Sequence, residues 1–340
     1  MSATEISRTG QAPGEESSRR RWNEMLGSLT ALLPASCLCV LVDGPADQAA
    51  LLAARLAEKL AEDQGTRPLG VTLDEDAAVD ADAVIFLRTA PGGRHSPVYK
   101  KDGGEQDARD RREREERADI VIDLHDTRWP VIRRVAAPLA GRGPWYLTET
   151  RAFFACRAAN WDAKFGDDLP AYRAAVAEAG IRRGGVVIDA GCGTGRALPP
   201  LREAVGPDGT VIAMDVTPEM LDAARPAIGL AGASVVIADA RALPFADGSA
   251  DAIFAAGLVN HLPDTEAALR GLARVTRRGG LLVLFHPSGR AALAARRGHV
   301  LSPDEPLSEG PLRRFTAASG WALTAYDDAP HRFFAVAERR

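Results

Sequence analysis

The chain has 340 residues, of which 46% are hydrophobic and 26% charged, and its 42 basic and 46 acidic side chains leave a formal net charge of −4. That length suits two domains, and the near-balance of charge excludes a global basic field that would recruit nucleic acid. No apolar stretch reaches the ~18 to 20 residues of a bilayer span, the polar start lacks the apolar centre of a signal peptide, and four cysteines are too few for a disulfide scaffold in a chain of this size. A reducing, cytoplasmic setting without a membrane partner is expected.

Residues 1–20 are polar and aperiodic and read as a disordered tail. Apolar residues then recur at helical spacing (Trp22, Met25, Leu26, Leu29, Leu32, Leu33), ahead of a buried-strand run, Cys37 to Val42. Cys37 and Cys39 share one face of that strand and read as packing residues rather than metal ligands, because no second Cys/His cluster accompanies them. Asp43-Gly44-Pro45 breaks the strand, and a helix is expected over 47–62. Short strands follow at Val71–Leu73 and Ala83–Leu87, then a turn-rich stretch over 88–104. The mixed charges of 105–117 fit a solvated helix with i,i+4 pairs. Ala118–Asp123 is a further buried strand, 128–140 is expected as a helix, and Arg142-Gly143-Pro144 marks a linker. Residues 21–145 thus form a smaller α/β domain.

Over 146–340 the pattern becomes regular. Helices near 150–158 and 169–179 precede strands at 185–190, 209–215, 233–238, 251–256 and 280–286, with helices expected at 195–204, 217–226 and 264–276. This alternation predicts a parallel sheet covered on both faces. A helix at 310–319 and two closely spaced strands, 321–327 and 331–338, end the chain, and the short connection requires that pair to be antiparallel.

The chemistry concentrates where the first strand of that half ends. Asp189 is followed by Gly191, Cys192, Gly193 and Gly195, and then by a helix. Glycines at alternate positions let backbone approach a ligand where a Cβ would collide, and the helix start presents N–H groups to it. The dinucleotide fingerprint would need glycine where Arg196 stands. Asp215 ends the next strand, placed to accept hydrogen bonds from ribose hydroxyls. Asp239 and Ala240 end the third, at the rim where an adenine amine would sit, and Ala255-Ala256-Gly257 closes the fourth with small residues. Each carboxylate also has a purely local reading. Asp189 could cap its turn, Asp215 could cap the helix after Thr217, and Asp239 could start a turn.

The segments VVIDAGCGTGR (186–196), VIAMDVTPEML (211–221), ADARALPFADGSADAIFAAGLVNHLPD (238–264) and RRGGLLVLFHPSGR (277–290) carry a resemblance. In that order they make residues 148–338 similar to class I S-adenosylmethionine-dependent methyltransferases, of the type-11 or ubiquinone-methyltransferase-like group. The resemblance implies a seven-stranded Rossmann-like sheet of order 3-2-1-4-5-7-6 with the last strand antiparallel. It implies S-adenosylmethionine as cofactor: the turn 189–195 around its methionine portion, Asp215 on the ribose, Val216 among the cofactor contacts, Met220 near the adenine, Asp239 and Ala240 at the adenine edge, and Ala256 near the sulfonium. Asn160-Trp161-Asp162 resembles an element that folds over the cofactor. His261, after the fourth strand, is the first candidate for a general base and His286, at the end of the fifth, the second.

The position after the fourth strand lacks the D/N-P-P-Y/F element of amino-methylating DNA enzymes and any Pro-Cys nucleophile, so a small-molecule acceptor is expected. The segments 150–180 and 287–310 are expected to face it, and Phe153, Phe154, Trp161 and Tyr172 point to an apolar or aromatic acceptor. No feature fixes the oligomeric state, with which a homo-oligomer is compatible. In the first half, the order of elements after Gly44 resembles a nucleoside (uridine) kinase-like P-loop domain, but Ala49, Ala50 and Leu51 stand where the P-loop has Gly, Lys and Ser or Thr. A degenerate, inactive kinase-like domain is therefore expected, beside the plainer reading of a small α/β domain. Three functions remain: a methyltransferase, a cofactor-binding regulatory or scaffold protein, and a nucleoside kinase, the last disfavoured by the absent lysine.

Overall fold

The structure is a computed structural model, describing residues 15–34, 36–62, 70–73, 81–89, 105–165, 168–262, 264–298 and 300–340. The chain divides into two compact units, the first ending at Arg157 and the second running from Ala158 to Arg340. The packing boundary thus falls later in the chain than the residue-146 boundary read from sequence.

The first unit opens with α1 (Glu15–Leu32), which takes in residues expected to belong to a disordered tail. Glu15 and Glu16 favour the positive end of the helix. Trp22, Met25, Leu29 and Leu32 bury one stripe of it, and the Trp22 indole donates to Thr127 O at 2.7 Å. Residues 1–14 of the expected tail and most of the turn-rich stretch, residues 90–104, lie outside the described residues. There follow β1 (Cys39–Asp43), α2 (Ala46–Glu62), β2 (Gly70–Thr72), β3 (Ala83–Arg88), α3 (Glu105–Arg117), β4 (Ile120–Asp123), β5 (Val131–Val135), α4 (Ala137–Ala140) and α5 (Leu147–Ala155). The sheet order is β2-β1-β3-β4-β5, parallel except for β5.

The helix expected over 128–140 is instead strand β5 followed by the single turn α4. Val131, Ile132 and Val135 are buried. Arg133 escapes an unpaired burial by bonding Asp123 at 3.2 Å, and Arg134 donates to Ala118 O at 3.1 Å. These arginine partners belong to the preceding strand and its approach, so tertiary contacts decide the conformation.

The second unit contains α6 (Trp161–Phe165), α7 (Leu169–Ala179), β6 (Val186–Ala190), α8 (Leu198–Val205), β7 (Thr210–Asp215), α9 (Pro218–Ala223), α10 (Arg225–Ala231), β8 (Ser234–Ile237), β9 (Ala250–Ala256), α11 (Thr265–Val275), β10 (Thr276–His286), α12 (Arg290–Arg297), α13 (Glu309–Ala318), β11 (Trp321–Ala329) and β12 (Arg332–Arg339). Its seven strands run in the order β11-β12-β10-β9-β6-β7-β8, with β12 antiparallel to both neighbours. Successive residues alternate between faces: Ile188, Ile253 and Leu284 pack in one apolar cluster, and Val187, Phe254 and Phe285 in the other.

Helix α8 begins at Leu198 rather than 195, because Pro199 and Pro200 have no N–H to donate and sit in its first turn. The helix expected over 217–226 is two helices, broken at Ala224 ahead of Pro226 for the same reason. The chain runs outward from β6 through β7 to β8 and then crosses back to β9 on the other side of β6, which opens a crevice at the carboxyl ends of these strands. Among the described residues, no helix is long and apolar enough to cross a membrane.

Candidate functional site

The crevice is floored by the glycine turn. Gly191, Gly193 and Gly195 have φ of +71°, +54° and +85°, a region that side-chain-bearing residues adopt at a cost. Gly191 N and Cys192 N donate to Met214 O at 2.8 and 2.9 Å, which ties the turn to β7. A Cβ on Gly195 would lie 2.9 Å from Ala227 Cβ, and one on Gly191 3.1 Å from Leu258 Cδ1. At Gly193 nothing lies within 4 Å, so this backbone faces open space.

Two buried carboxylates stand behind the turn. Asp215 Oδ2 accepts from Gly193 N at 2.9 Å and Oδ1 from Thr217 N at 2.8 Å. The second bond turns the chain just ahead of α9, whose N-cap is Thr217 and not the Asp215 of its local reading, and the carboxylate keeps acceptor capacity for further donors. Burial raises its pKa, against the two N–H bonds. Asp189 is 1% exposed and its Oδ2 has no hydrogen-bond partner. Burial, with the neighbouring Asp215 charge second, pushes its carboxyl up to about 8.

Around them, Cys192, Met220 and Ala240 are buried, and Val216, Asp239 and Ala256 half-buried. Asp239 makes the turn its local reading anticipates: Oδ1 accepts from Arg241 N at 3.0 Å, and the carboxylate pairs with the Arg241 guanidinium at 3.3 Å. Trp161 opens the short helix α6 and is half-buried. The next residue, Asp162, fastens α6 to the turn, taking Thr194 Oγ1 at 2.6 Å and Arg196 Nε at 3.0 Å. Arg196, which in the sequence only excluded a dinucleotide motif, also pairs with Asp168.

The two histidines separate. His261 is exposed on a 3-10 turn over Val259–His261. His286 is half-buried at the end of β10, with Nδ1 2.9 Å from Ser288 O and 3.1 Å from Ser288 N. His286, unlike His261, lines a small, open cavity that begins at Ala255 and Gly257 around the end of β9. Leu258 lies on both this cavity and Gly191, so the cavity adjoins the glycine turn.

Of the segments expected to face an acceptor, 287–310 contributes Ser288, Arg290, Leu293 and Leu307 to the lining. Tyr172 instead packs on Phe285 in the core, ring centroids 4.9 Å apart, and Phe153 and Phe154 belong to α5 of the first unit. Asn260, Arg290 and Phe333 were not singled out from sequence, since only the closing of β12 and α12 around β10 brings them together. Among the described residues no group of three or more His, Cys, Asp or Glu could hold a metal ion. In the first unit, Asp43 at the end of β1 is paired with Arg114 at 3.0 Å, and Asp123 at the end of β4 with Arg133 at 3.2 Å.

The unpartnered Asp189 oxygen calls for a donor, the carboxylates at the ends of β6 and β7 suit a ligand with ammonium and hydroxyl groups, and the open face at Gly193 gives it room. That donor set fits S-adenosylmethionine. Residues 188–284 match the family model described as a methyltransferase domain. Similar curated proteins include an uncharacterized 37.1 kDa protein in transposon TN4556 of Streptomyces fradiae, 38% identical over 107 residues, or 31% of this chain and 31% of that protein. Another is demethylmenaquinone methyltransferase of Staphylococcus aureus, 34% identical over 110 residues, 32% of this chain and 46% of that one. The match thus spans less than half the length of either relative. Similar solved structures include a SAM-dependent methyltransferase from Aquifex aeolicus, at 24% identity and TM-score 0.47, covering 55% of this chain and 98% of that one. Magnesium protoporphyrin IX methyltransferase from Synechocystis PCC 6803 with bound SAH aligns at 18% identity and TM-score 0.46, covering 57% of this chain and all of that one. Residues 188–284, which run from β6 into β10 and include the glycine turn, are thus similar to a methyltransferase domain.

Proposed function

We propose that the protein is an S-adenosylmethionine-dependent methyltransferase that transfers a methyl group to an oxygen, nitrogen or carbon atom of a small-molecule metabolite. The observation that carries this reading is the glycine turn, whose open face at Gly193 adjoins the buried pair Asp189 and Asp215. The turn, with Asp189, Gly191, Cys192, Gly193 and Gly195, holds the methionine portion of the cofactor. Asp215 accepts from the ribose, Val216 and Met220 pack at the adenine, Asp239 and Ala240 meet its edge, Ala256 lies at the sulfonium, and Trp161 covers the bound molecule.

When bound, the sulfonium supplies both the methyl group and its own leaving group. The protein therefore has to align the acceptor in line and exclude water. The cavity beyond β9 receives the acceptor. His286 is the better-placed base, because it lines that cavity whereas His261 is exposed on the 3-10 turn. It removes a proton only from an acceptor that must lose one.

Calorimetric titration of S-adenosylmethionine into the wild type and Asp215→Ala tests the cofactor site. The expected result is binding to the wild type and at least ~tenfold weakening in the variant, about 1.4 kcal/mol. Equal binding to both refutes the assignment. Formation of S-adenosylhomocysteine with a metabolite panel then separates an enzyme from a binding protein that uses the same site for regulation or scaffolding. The first unit is proposed to be a catalytically silent, degenerate kinase-like domain, since Ala50 replaces the phosphate-binding lysine. ATP binding with the affinity of an active kinase would overturn that.

A further inference from the structure

The cavity that adjoins the glycine turn carries one cation whose charge is already spoken for. Arg290 lines it, and its Nε lies 3.0 Å from Asp328 Oδ2. Its Nη1 donates to Ser308 Oγ at 2.9 Å and lies 3.6 Å from Glu305 Oε2. One guanidinium thus faces two carboxylates. Backbone contacts between the end of β11 and the start of α12 bring Asp328 to Arg290. Asp328 Oδ1 accepts from Arg290 N at 2.8 Å, Gly289 N donates to Pro330 O at 3.2 Å, and a Cβ on Gly289 would come within 2.0 Å of Ala329 O. The two segments are therefore packed closely together, which sets the Asp328 carboxylate against Arg290.

Much of the remaining wall is apolar, with Leu258, Leu293, Leu307 and Phe333 among its residues. Arg296 reaches Ser288 Oγ at 2.7 Å, but it is exposed, so water and salt screen it. An anionic ligand would give up its hydration and meet no uncompensated buried cation, whereas an uncharged ring would bury apolar surface at no such cost. We propose that the Arg290–Asp328 pair, assisted by Glu305, is a charge-neutral wall that selects uncharged, ring-bearing acceptors and rejects carboxylate-bearing ones. This rests on the methyltransferase reading and adds the substrate class and the residues that set it.

The test uses the full chain loaded with S-adenosylhomocysteine, whose own titration is run first. Naphthol and hydroxynaphthoate, the same two-ring phenol without and with a carboxylate, are then titrated near pH 7. Naphthol is expected to bind the wild type at least ~tenfold more tightly than hydroxynaphthoate. Asp328→Asn keeps an oxygen for Arg290 N and removes the nearer of the two carboxylate charges that face the guanidinium, and it should shrink that ratio ~tenfold or more. Glu305→Gln, from the more distant carboxylate, should shrink it in the same direction by less. If Asp328→Asn no longer binds S-adenosylhomocysteine, the Glu305→Gln ratio decides. Equal or tighter binding of hydroxynaphthoate to the wild type, failure of both phenols to bind, or a ratio unmoved by either folded variant overturns the proposal. Failure of the wild type to bind S-adenosylhomocysteine instead overturns the methyltransferase reading, and this inference with it.

Discussion

Asp189 is a carboxylic acid that burial and the Asp215 charge hold protonated near neutrality, with a pKa of about 8. The unfolded chain loses that proton near pH ~4. Between these values the folded state binds one proton more than the unfolded, so this group lowers stability as pH rises through the window and has no further effect above it. Asp189→Asn keeps the shape and cannot ionise. Its thermal midpoint relative to wild type should therefore climb steadily from pH 5 to pH 8, and a constant difference would show that the carboxyl ionises normally. A cationic ligand at the unpartnered Oδ2 should also draw the proton off. Cofactor titrations near pH 7 in two buffers of different ionisation enthalpy should then report proton release in the wild type and none in the variant. The glycines divide in a similar way. Gly195→Ala meets both a positive φ and the 2.9 Å approach of Ala227, and should destabilise by ~1–3 kcal/mol in urea melts. Gly193→Ala meets only the positive φ, at ~1–2 kcal/mol, but its methyl projects into open space that the ligand needs. It should remain folded and lose cofactor affinity. The reverse ranking would mean that the ligand lies elsewhere.

Elements were legible in the sequence wherever one local pattern controls them. β6 and β7 stand as apolar runs ended by Asp189 and Asp215, and α11 stands as a stripe of Ala268, Leu269, Leu272 and Val275 behind the Asp264 cap, whose Oδ1 accepts from Ala267 N at 2.8 Å. β5 was not legible. Arg133 and Arg134 interrupt its apolar run, and what permits them in a strand is a set of partners on other elements. The same limit applies to the site. Asp189, Asp215 and the glycines lie within one or two crossovers of each other, whereas Arg290 meets Asp328 across 38 residues of chain, through a hairpin whose register no local signal sets. The terminal hairpin is itself anchored from α11: Trp321 is fully buried and its indole donates to Leu269 O at 2.9 Å. Trp321→Ala should cost ~3–5 kcal/mol by leaving a large cavity, and should loosen β11 and β12 against β10. Hydrogen exchange of the β12 amides reports this, and protection equal to wild type would show that the hairpin is held by other contacts.

At the scale of the whole chain, each unit has its own core. The cluster around Met25, Leu29, Ile85 and Ile120 draws its residues from before Arg157, and the two clusters that sandwich the seven-stranded sheet draw theirs from after it. A piece of about 180 residues with two covered sheet faces is large enough to fold alone. Residues 158–340 should therefore unfold in one cooperative transition and bind S-adenosylmethionine with an affinity close to that of the full chain. The boundary read from sequence provides the control. A piece starting at 146 would carry α5, whose Leu147, Ala152 and Ala155 are buried and whose packing partners are β5 and α1 of the first unit. Without them it exposes an apolar helix face, and it should associate in light scattering where the shorter piece stays monodisperse. If 158–340 gives no near-UV circular dichroism and no cooperative melt while 146–340 does, then α5 belongs energetically to the second unit despite where its contacts lie. If both pieces fold and bind equally, the sheet and the two helices before it suffice for the cofactor, and the first unit contributes nothing to that affinity.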